Sequence, residues 1–150
     1  MNRHAKIIVS GLVAGFVSEG VLGGLFMSPP VQNLLYNPSY QSETFIQLTP
    51  TRDLIPSIAG IVILSIAHSW LFSVFQPSIP GNTWIRKGIF WGFTIWTMYW
   101  LFQEWFIYHT LLKEPVLLNL VELFLLFVGS LVEGLIISKF LFTPNEKRKS

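Results

Sequence analysis

Four Glu residues and one His lie well inside the long apolar stretches of the sequence. They are Glu19, His68, Glu104, Glu122 and Glu133. An ionisable group near the middle of a bilayer costs about 2.5–3.5 kcal/mol on insertion scales. Such groups normally face the interior of a helical bundle, pair with one another, and often mark a path for ions or protons. We therefore treat these five residues as candidate ion-binding or solute-binding residues.

The positions of these groups along their helices predict two levels within a membrane. At a rise of about 1.5 Å per residue, Glu133 lies roughly 14 Å from the more basic end of its stretch, and His68 lies roughly 10 Å from that end of its own. These two side chains can therefore meet. The same estimate places Glu19, Glu104 and Glu122 towards the opposite side. We expect the five groups to form a buried polar seam, with Glu19, Glu133 and His68 as its core and Glu104 and Glu122 at its outer entrance.

Several roles fit such a seam. Two levels of carboxyl groups and a histidine would offer successive sites for protons or cations. Hydrogen bonds that only hold the helices together measure about 0.6 kcal/mol on average, which is little beside the insertion cost. Carboxyl groups that are protonated and uncharged would lower that cost, so a structural role stays open. A transition-metal site is disfavoured, because Glu104 and His109 are five residues apart and no Glu-x-x-His spacing occurs.

The third apolar stretch is rich in aromatic residues, and its deeper members are Trp91, Trp96, Tyr99 and Trp100. Such rings pack against lipid, against neighbouring helices, or against a flat apolar ligand. This pattern supports a second hypothesis. The chain would be a non-catalytic accessory or assembly subunit of a larger membrane complex, with a lipid, quinone or pigment bound at this aromatic face. The sequence does not specify a cofactor.

The elements that position these residues follow from composition. Hydrophobic residues make up 51% of the chain and charged residues only 12%, whereas a soluble domain carries about 25% charged residues. Four apolar stretches, residues 7–27, 54–75, 88–112 and 116–142, are near or above the roughly 20 residues that cross a bilayer. We predict an all-α integral membrane protein, an antiparallel four-helix transmembrane bundle in a single domain. Residues 28–53 would form an external loop and residues 143–150 a cytoplasmic tail.

The basic residues predict the orientation of this bundle. Eight of the ten Lys and Arg residues fall at the termini or in the connection between the second and third stretches. Only Arg52 and Lys113 fall on the other side. Because cytoplasmic segments carry the excess of Lys and Arg, both termini are expected in the cytoplasm and the protein in the cell inner (plasma) membrane.

Close helix packing is predicted at three G-x-x-x-G pairs, which are Gly11 with Gly15, Gly20 with Gly24, and Gly88 with Gly92. Small residues let helix backbones approach closely in lipid, where the hydrophobic effect does not draw helices together. These pairs favour packing within the bundle, and dimerisation through one of them is the alternative.

Several classes of protein are excluded or disfavoured. The chain has no cysteine, which excludes disulfides and thiolate metal sites. The common hydrolase, zinc-protease and phosphate-loop motifs do not occur, so an enzyme is disfavoured. No feature indicates nucleic acid as a partner. The expected partners are the lipid bilayer and, as alternatives, a second copy of the chain or other membrane subunits.

Overall fold

A computed structural model describes residues 2–40 and 54–143, and all regular structure within them is helical. The α-helices, in chain order, are α1 (Arg3–Phe26), α2 (Pro29–Leu35), α3 (Leu54–Phe75), α4 (Trp84–Ile95) and α5 (Val116–Leu141). Three of them, α1, α3 and α5, are long and apolar enough to cross a membrane. The all-helical prediction is confirmed, and these three helices support the assignment to a membrane. Residues 41–53 of the predicted external loop and residues 144–150 of the predicted tail lie outside the described residues.

The helix boundaries follow from local capping. At the start of α1, the Asn2 side chain accepts a hydrogen bond from the Ala5 N–H at 2.8 Å, which satisfies one free backbone donor. Pro29 and Pro30 begin α2, where their missing N–H groups cost little. This short helix follows α1 directly and ends before Tyr36.

The third apolar stretch departs from a regular α-helix. It begins at Trp84, earlier than predicted, because Thr83 caps it by accepting a hydrogen bond from the Arg86 N–H. The α-helix then ends at Ile95, and the chain continues as two π-helical segments, Trp96–Trp100 and Gln103–Leu111. The stretch is therefore not one of the three helices long enough to span. One turn of π-helix contains more residues than one turn of α-helix. The side chains after Ile95 therefore point in directions that differ from those expected for a regular α-helix.

The glycine pairs differ in what they contact. A Cβ added at Gly11 would lie 2.7 Å from the carbonyl oxygen of Ser65, and one at Gly92 would lie 2.5 Å from that of Ser130. Backbones thus approach closely where α1 meets α3 and where α4 meets α5. By contrast, Gly20 and Gly24 have no atom of another element within 4 Å of such a Cβ among the described residues. The prediction of packing within the bundle therefore holds for two pairs and is wrong for the third.

The core lies at two levels along the helices. The larger cluster gathers the start of α1, the ends of α3 and α5, and α4, through residues that include Phe72, Trp91 and Ile137. The smaller cluster joins Leu22 of α1 to Leu125 and Leu126 of α5. Large apolar side chains elsewhere point outward, such as Ile55 (79% exposed). An apolar exterior of this kind suits lipid rather than water.

Candidate functional site

A cavity of about 340 Å³ lies where α1, α3, α5 and the first π-helical segment meet. Along α3 its wall runs from Pro56 to His68. Its polar lining consists of Ser18, Glu19, Ser57, Ser65, His68 and Glu133. The cavity therefore contains three of the five ionisable residues that the sequence predicted as ligands.

His68 and Glu133 are hydrogen-bonded to each other on the wall of this cavity. The Nδ1 atom of His68 lies 2.9 Å from Oε1 of Glu133, and the two side chains are 19% and 11% exposed. The sequence estimate had placed these groups at compatible depths on separate helices, and the structure brings them together. Imidazole and carboxylate can each hold a proton at this distance, so the pair can pass one between its two members.

Glu19 and two serines extend the polar wall onto neighbouring helices. Glu19 lies one residue after Ser18, whose hydroxyl donates to the Gly15 carbonyl at 3.0 Å. The Ser65 hydroxyl donates to Val62 on its own helix at 3.4 Å. Both serines line the cavity, and each hydroxyl oxygen keeps the capacity to accept a hydrogen bond while its proton is donated to a backbone carbonyl. Acceptors and carboxylates on one wall favour a cation or a proton donor as the occupant.

Two aromatic rings close the side of the cavity that faces α4 and its π-helical extension. Tyr99 and Trp100 lie edge to face with their ring centroids 4.6 Å apart. They come from the first π-helical segment, where extra residues in the turn direct adjacent aromatic side chains towards the same cavity. An aromatic face beside carboxylates attracts cations through the ring quadrupole.

The other two predicted aromatic residues lie elsewhere. Trp91 is 6% exposed and packs edge to face on Phe72, with centroids 5.8 Å apart. Trp96 is half-buried and donates its indole N–H to the Leu123 carbonyl at 2.9 Å. Both rings therefore join α4 and its extension to the rest of the protein, and neither lines the cavity.

Beyond His68 the helices close together. Lys87 is 1% exposed and donates from Nζ to the Gln76 carbonyl. The Gln76 side chain in turn donates to the backbone oxygen and to the hydroxyl of Thr143, at 3.1 Å each. On the α1 side, the hydroxyls of Ser10 and Ser69 lie 2.6 Å apart. Through these contacts the helices pack closely on the side of His68 that is away from Pro56, so the cavity ends there within the described part of the chain.

The chain matches no protein-family model, no curated protein and no solved structure. Its function is therefore argued from its residues and their geometry.

A second group of acids lies outside the cavity. Glu104, Glu114 and Glu122 each place one carboxylate oxygen within 4.8 Å of the other two. The carboxyl groups of Glu104 and Glu122, which belong to separate elements, therefore lie side by side. The structure thus divides the predicted seam into two clusters. Glu19, His68 and Glu133 line the cavity, and Glu104 and Glu122 lie with Glu114.

Glu114 is the member of the second cluster that lies outside the predicted apolar stretches, in the connection between the third and the fourth. It is 3% exposed, and burial raises the pKa of its carboxyl to about 7, aided by the nearby charge of Glu122. Lys113 has a φ of 60°, a left-handed conformation that reverses the chain just before Glu114. His109 Nδ1 lies 2.8 Å from the Glu114 carbonyl oxygen and fixes this turn from the preceding segment. Sequence spacing contains no signal for such a reversal, because it depends on one backbone angle.

Proposed function

We propose that the chain crosses the membrane four times as an antiparallel bundle with both termini in the cytoplasm. The contacts between α1 and α3, and those of α4 and its π-helical extension with α5, support the antiparallel arrangement. In each pair, residues further along the first helix contact residues earlier in the second. Ile7 lies against Ser69 and Gly15 lies against Ser65, whereas Gly92 lies against Ser130 and Trp96 against Leu123. The distribution of Lys and Arg supports the orientation. The third crossing would be α4 with its π-helical extension.

We further propose that the cavity binds a small cation and moves it, with the proton as the simplest case. The observation that carries this proposal is the pairing of His68 with Glu133 on the wall of a cavity that Glu19 also lines. The site contains two carboxyl groups, which can carry two negative charges, and one imidazole, which can carry one positive charge. It can therefore accept a further positive charge. A purely structural pair has no need of an adjoining cavity.

The environment of the pair supports cation binding rather than anion binding. No Lys or Arg side chain lines the cavity among the described residues. Lys87 is the one buried Lys or Arg among the described residues, and its Nζ atom donates to the Gln76 carbonyl. An anion in the cavity would meet Glu19 and Glu133 without a compensating partner, and such a buried arrangement is strongly unfavourable.

The same arrangement suggests how a proton would move. A proton that enters the cavity binds at Glu19 or at the His68–Glu133 pair, and it can exchange within the pair across 2.9 Å. The sealed layer around Phe72, Trp91 and Gln76 then separates the pair from the predicted cytoplasmic side. Transfer to that side would need this layer to open, as in alternating access.

Proton flux into sealed proteoliposomes tests the proposal. Vesicles containing the purified protein and a trapped pH-sensitive dye would be given a K⁺ diffusion potential with valinomycin. We expect acidification faster than in protein-free vesicles, and a loss of this flux in Glu133→Gln and Glu19→Gln. Glu146→Gln, a matched change outside the described residues in the predicted tail, should keep it. Wild-type flux equal to that of empty vesicles would overturn the proposal.

The alternative function, an accessory subunit of a larger complex, is favoured by a different observation. The π-helical segments and the two residues between them expose several apolar side chains, which include Met98 (78% exposed), Phe102 (57% exposed) and Phe106 (53% exposed). Such a face suits lipid or a partner helix equally. The native mass in mild detergent separates the two functions, because a subunit would extract from its host membrane together with other polypeptides.

A further inference from the structure

The cluster of Glu104, Glu114 and Glu122 lies where three parts of the chain meet. Glu104 belongs to the second π-helical segment, Glu114 to the turn that follows it, and Glu122 to α5. None of the three lines the cavity. The cluster is therefore separate from the site proposed above, and its role is independent of that proposal.

Three oxygen atoms in this cluster lack a hydrogen-bond partner among the described residues. They are Oε2 of Glu104, Oε2 of Glu114 and Oδ1 of Asn119. All three residues are almost fully buried, at 3%, 3% and 0% exposure. A buried acceptor without a partner is rare in folded proteins and needs an explanation, such as a bound ion.

Asn119 supplies the observation that is independent of the acids. Its Nδ2 atom donates to the backbone carbonyl of Glu104 at 2.6 Å, and its side chain also bonds the carboxyl of Glu114. The amide is thus held between two members of the cluster while its own oxygen has no donor. A cation bound at the cluster would give this buried amide oxygen the partner that the described residues do not provide.

We propose that Glu104, Glu114, Glu122 and Asn119 bind a hard divalent cation, such as Ca²⁺, Mn²⁺ or Mg²⁺. All the donors are oxygens, which these ions prefer, and no cysteine is available to favour a softer metal. Carboxylate oxygens no more than 4.8 Å apart can bind one ion at the bond lengths of about 2.3–2.6 Å found for Ca²⁺.

The cation would join the π-helical segment, the turn and α5. Glu104 and Glu122 come from neighbouring elements, and Glu114 is drawn into the same point by the left-handed turn at Lys113. Glu122 is only half-buried, so the cluster reaches the surface on its side and an ion can enter there. The absence of a Glu-x-x-His pattern does not bear on this site, because that pattern concerns metals held by histidine.

Titration of the purified full-length protein with Mn²⁺ tests the proposal. Free aqueous Mn²⁺ gives a sharp electron paramagnetic resonance spectrum that is lost on binding, so the bound fraction is measured directly. The expected result is one Mn²⁺ per chain, displaced by Ca²⁺, with an affinity at least about tenfold lower in Glu104→Gln, Glu114→Gln and Glu122→Gln. Glu146→Gln should bind like the wild type.

Two results would overturn the proposal. One is that the Mn²⁺ titration of the wild-type protein cannot be distinguished from that of detergent alone. This result does not depend on whether any variant folds. The other is unchanged affinity in the three cluster variants while circular dichroism and elution volume show them to be folded. Because Mn²⁺ binding is measured without vesicles, its failure is distinct from a failure of proton flux.

Discussion

His68 Nδ1 lies 2.9 Å from Glu133 Oε1, and this contact joins α3 to α5. Most of the packing of α3 is instead against α1, through Ser69 on Ile7 and Ser65 on Gly15. The pair therefore spans the region where α3 and α5 are separated by the cavity. Its two side chains are held by each other, and a charge on one is compensated by the other.

A double-mutant cycle measures this link. We expect His68→Leu and Glu133→Leu each to lower stability by about 1–3 kcal/mol, because each leaves a mostly buried partner unpaired. The double variant should lose less than the sum, with a coupling of about 0.6–1.7 kcal/mol, as for hydrogen bonds between membrane helices. Unfolding in mixed detergent micelles with increasing SDS provides the measurement. Strict additivity would show that the pair is not formed in the folded protein.

Glycine substitutions test the close packing of α4 on α5. Gly92→Ala should destabilise the protein by about 1–3 kcal/mol, because the new Cβ would lie 2.5 Å from the Ser130 carbonyl oxygen and 2.8 Å from the Leu131 Cα. Gly24→Ala is the matched control, since no other atom of residues 2–40 and 54–143 lies within 4 Å of the added Cβ. It should leave stability unchanged or raise it by up to about 1 kcal/mol through helix propensity. The same SDS titration compares the two, and equal losses would contradict the packing described here.

Substitutions at Lys113 test the turn that buries Glu114. With a φ of 60°, Lys113 occupies a region that glycine adopts freely and that β-branched residues avoid. Lys113→Gly should therefore raise the free energy of unfolding by up to about 1 kcal/mol, and Lys113→Val should lower it by about the same amount. Both variants remove the same charge, so their difference reports the backbone alone. A more stable Val variant would be incompatible with the left-handed turn.

Cysteine labelling tests the proposed orientation, because the natural chain contains no cysteine. Ser39→Cys and Asn82→Cys each introduce a thiol at an exposed position in a connection. If both termini are cytoplasmic, a membrane-impermeant maleimide should label Ser39→Cys in sealed right-side-out vesicles. Asn82→Cys should react only after the vesicles are permeabilised. The reverse pattern would invert the topology, and labelling of both in sealed vesicles would show that they share one side.

Much of the helical framework could be predicted from the sequence. The second apolar stretch, residues 54–75, has the bounds of α3, and the fourth ends within a residue of α5. Hydropathy locates such segments because every backbone group in lipid needs a partner within its own helix. The third stretch was predicted less well, since hydropathy does not distinguish an α-helix from the π-helical turns after Ile95.

The candidate site was predictable in its residues and less so in its grouping. The estimated depths of His68 and Glu133 along their helices were similar enough for the side chains to meet. Such estimates work because the rise per residue is constant within regular helices. The depth estimate put Glu19 on the level of Glu104 and Glu122, whereas the expected core of Glu19, His68 and Glu133 is the group that lines the cavity. Equal depth does not decide which groups meet, because that depends on which helices are neighbours and how each is rotated.

The sequence by itself determined that this is a helical membrane protein with costly polar groups in its apolar segments, because composition and hydropathy depend only on residue types. Only the tertiary structure decided that these groups form two clusters, that Glu114 joins the second, and that Trp91 and Trp96 are held within the protein. Those outcomes rest on helix neighbours, on π-helical turns and on one left-handed residue, and each is set by packing between distant parts of the chain.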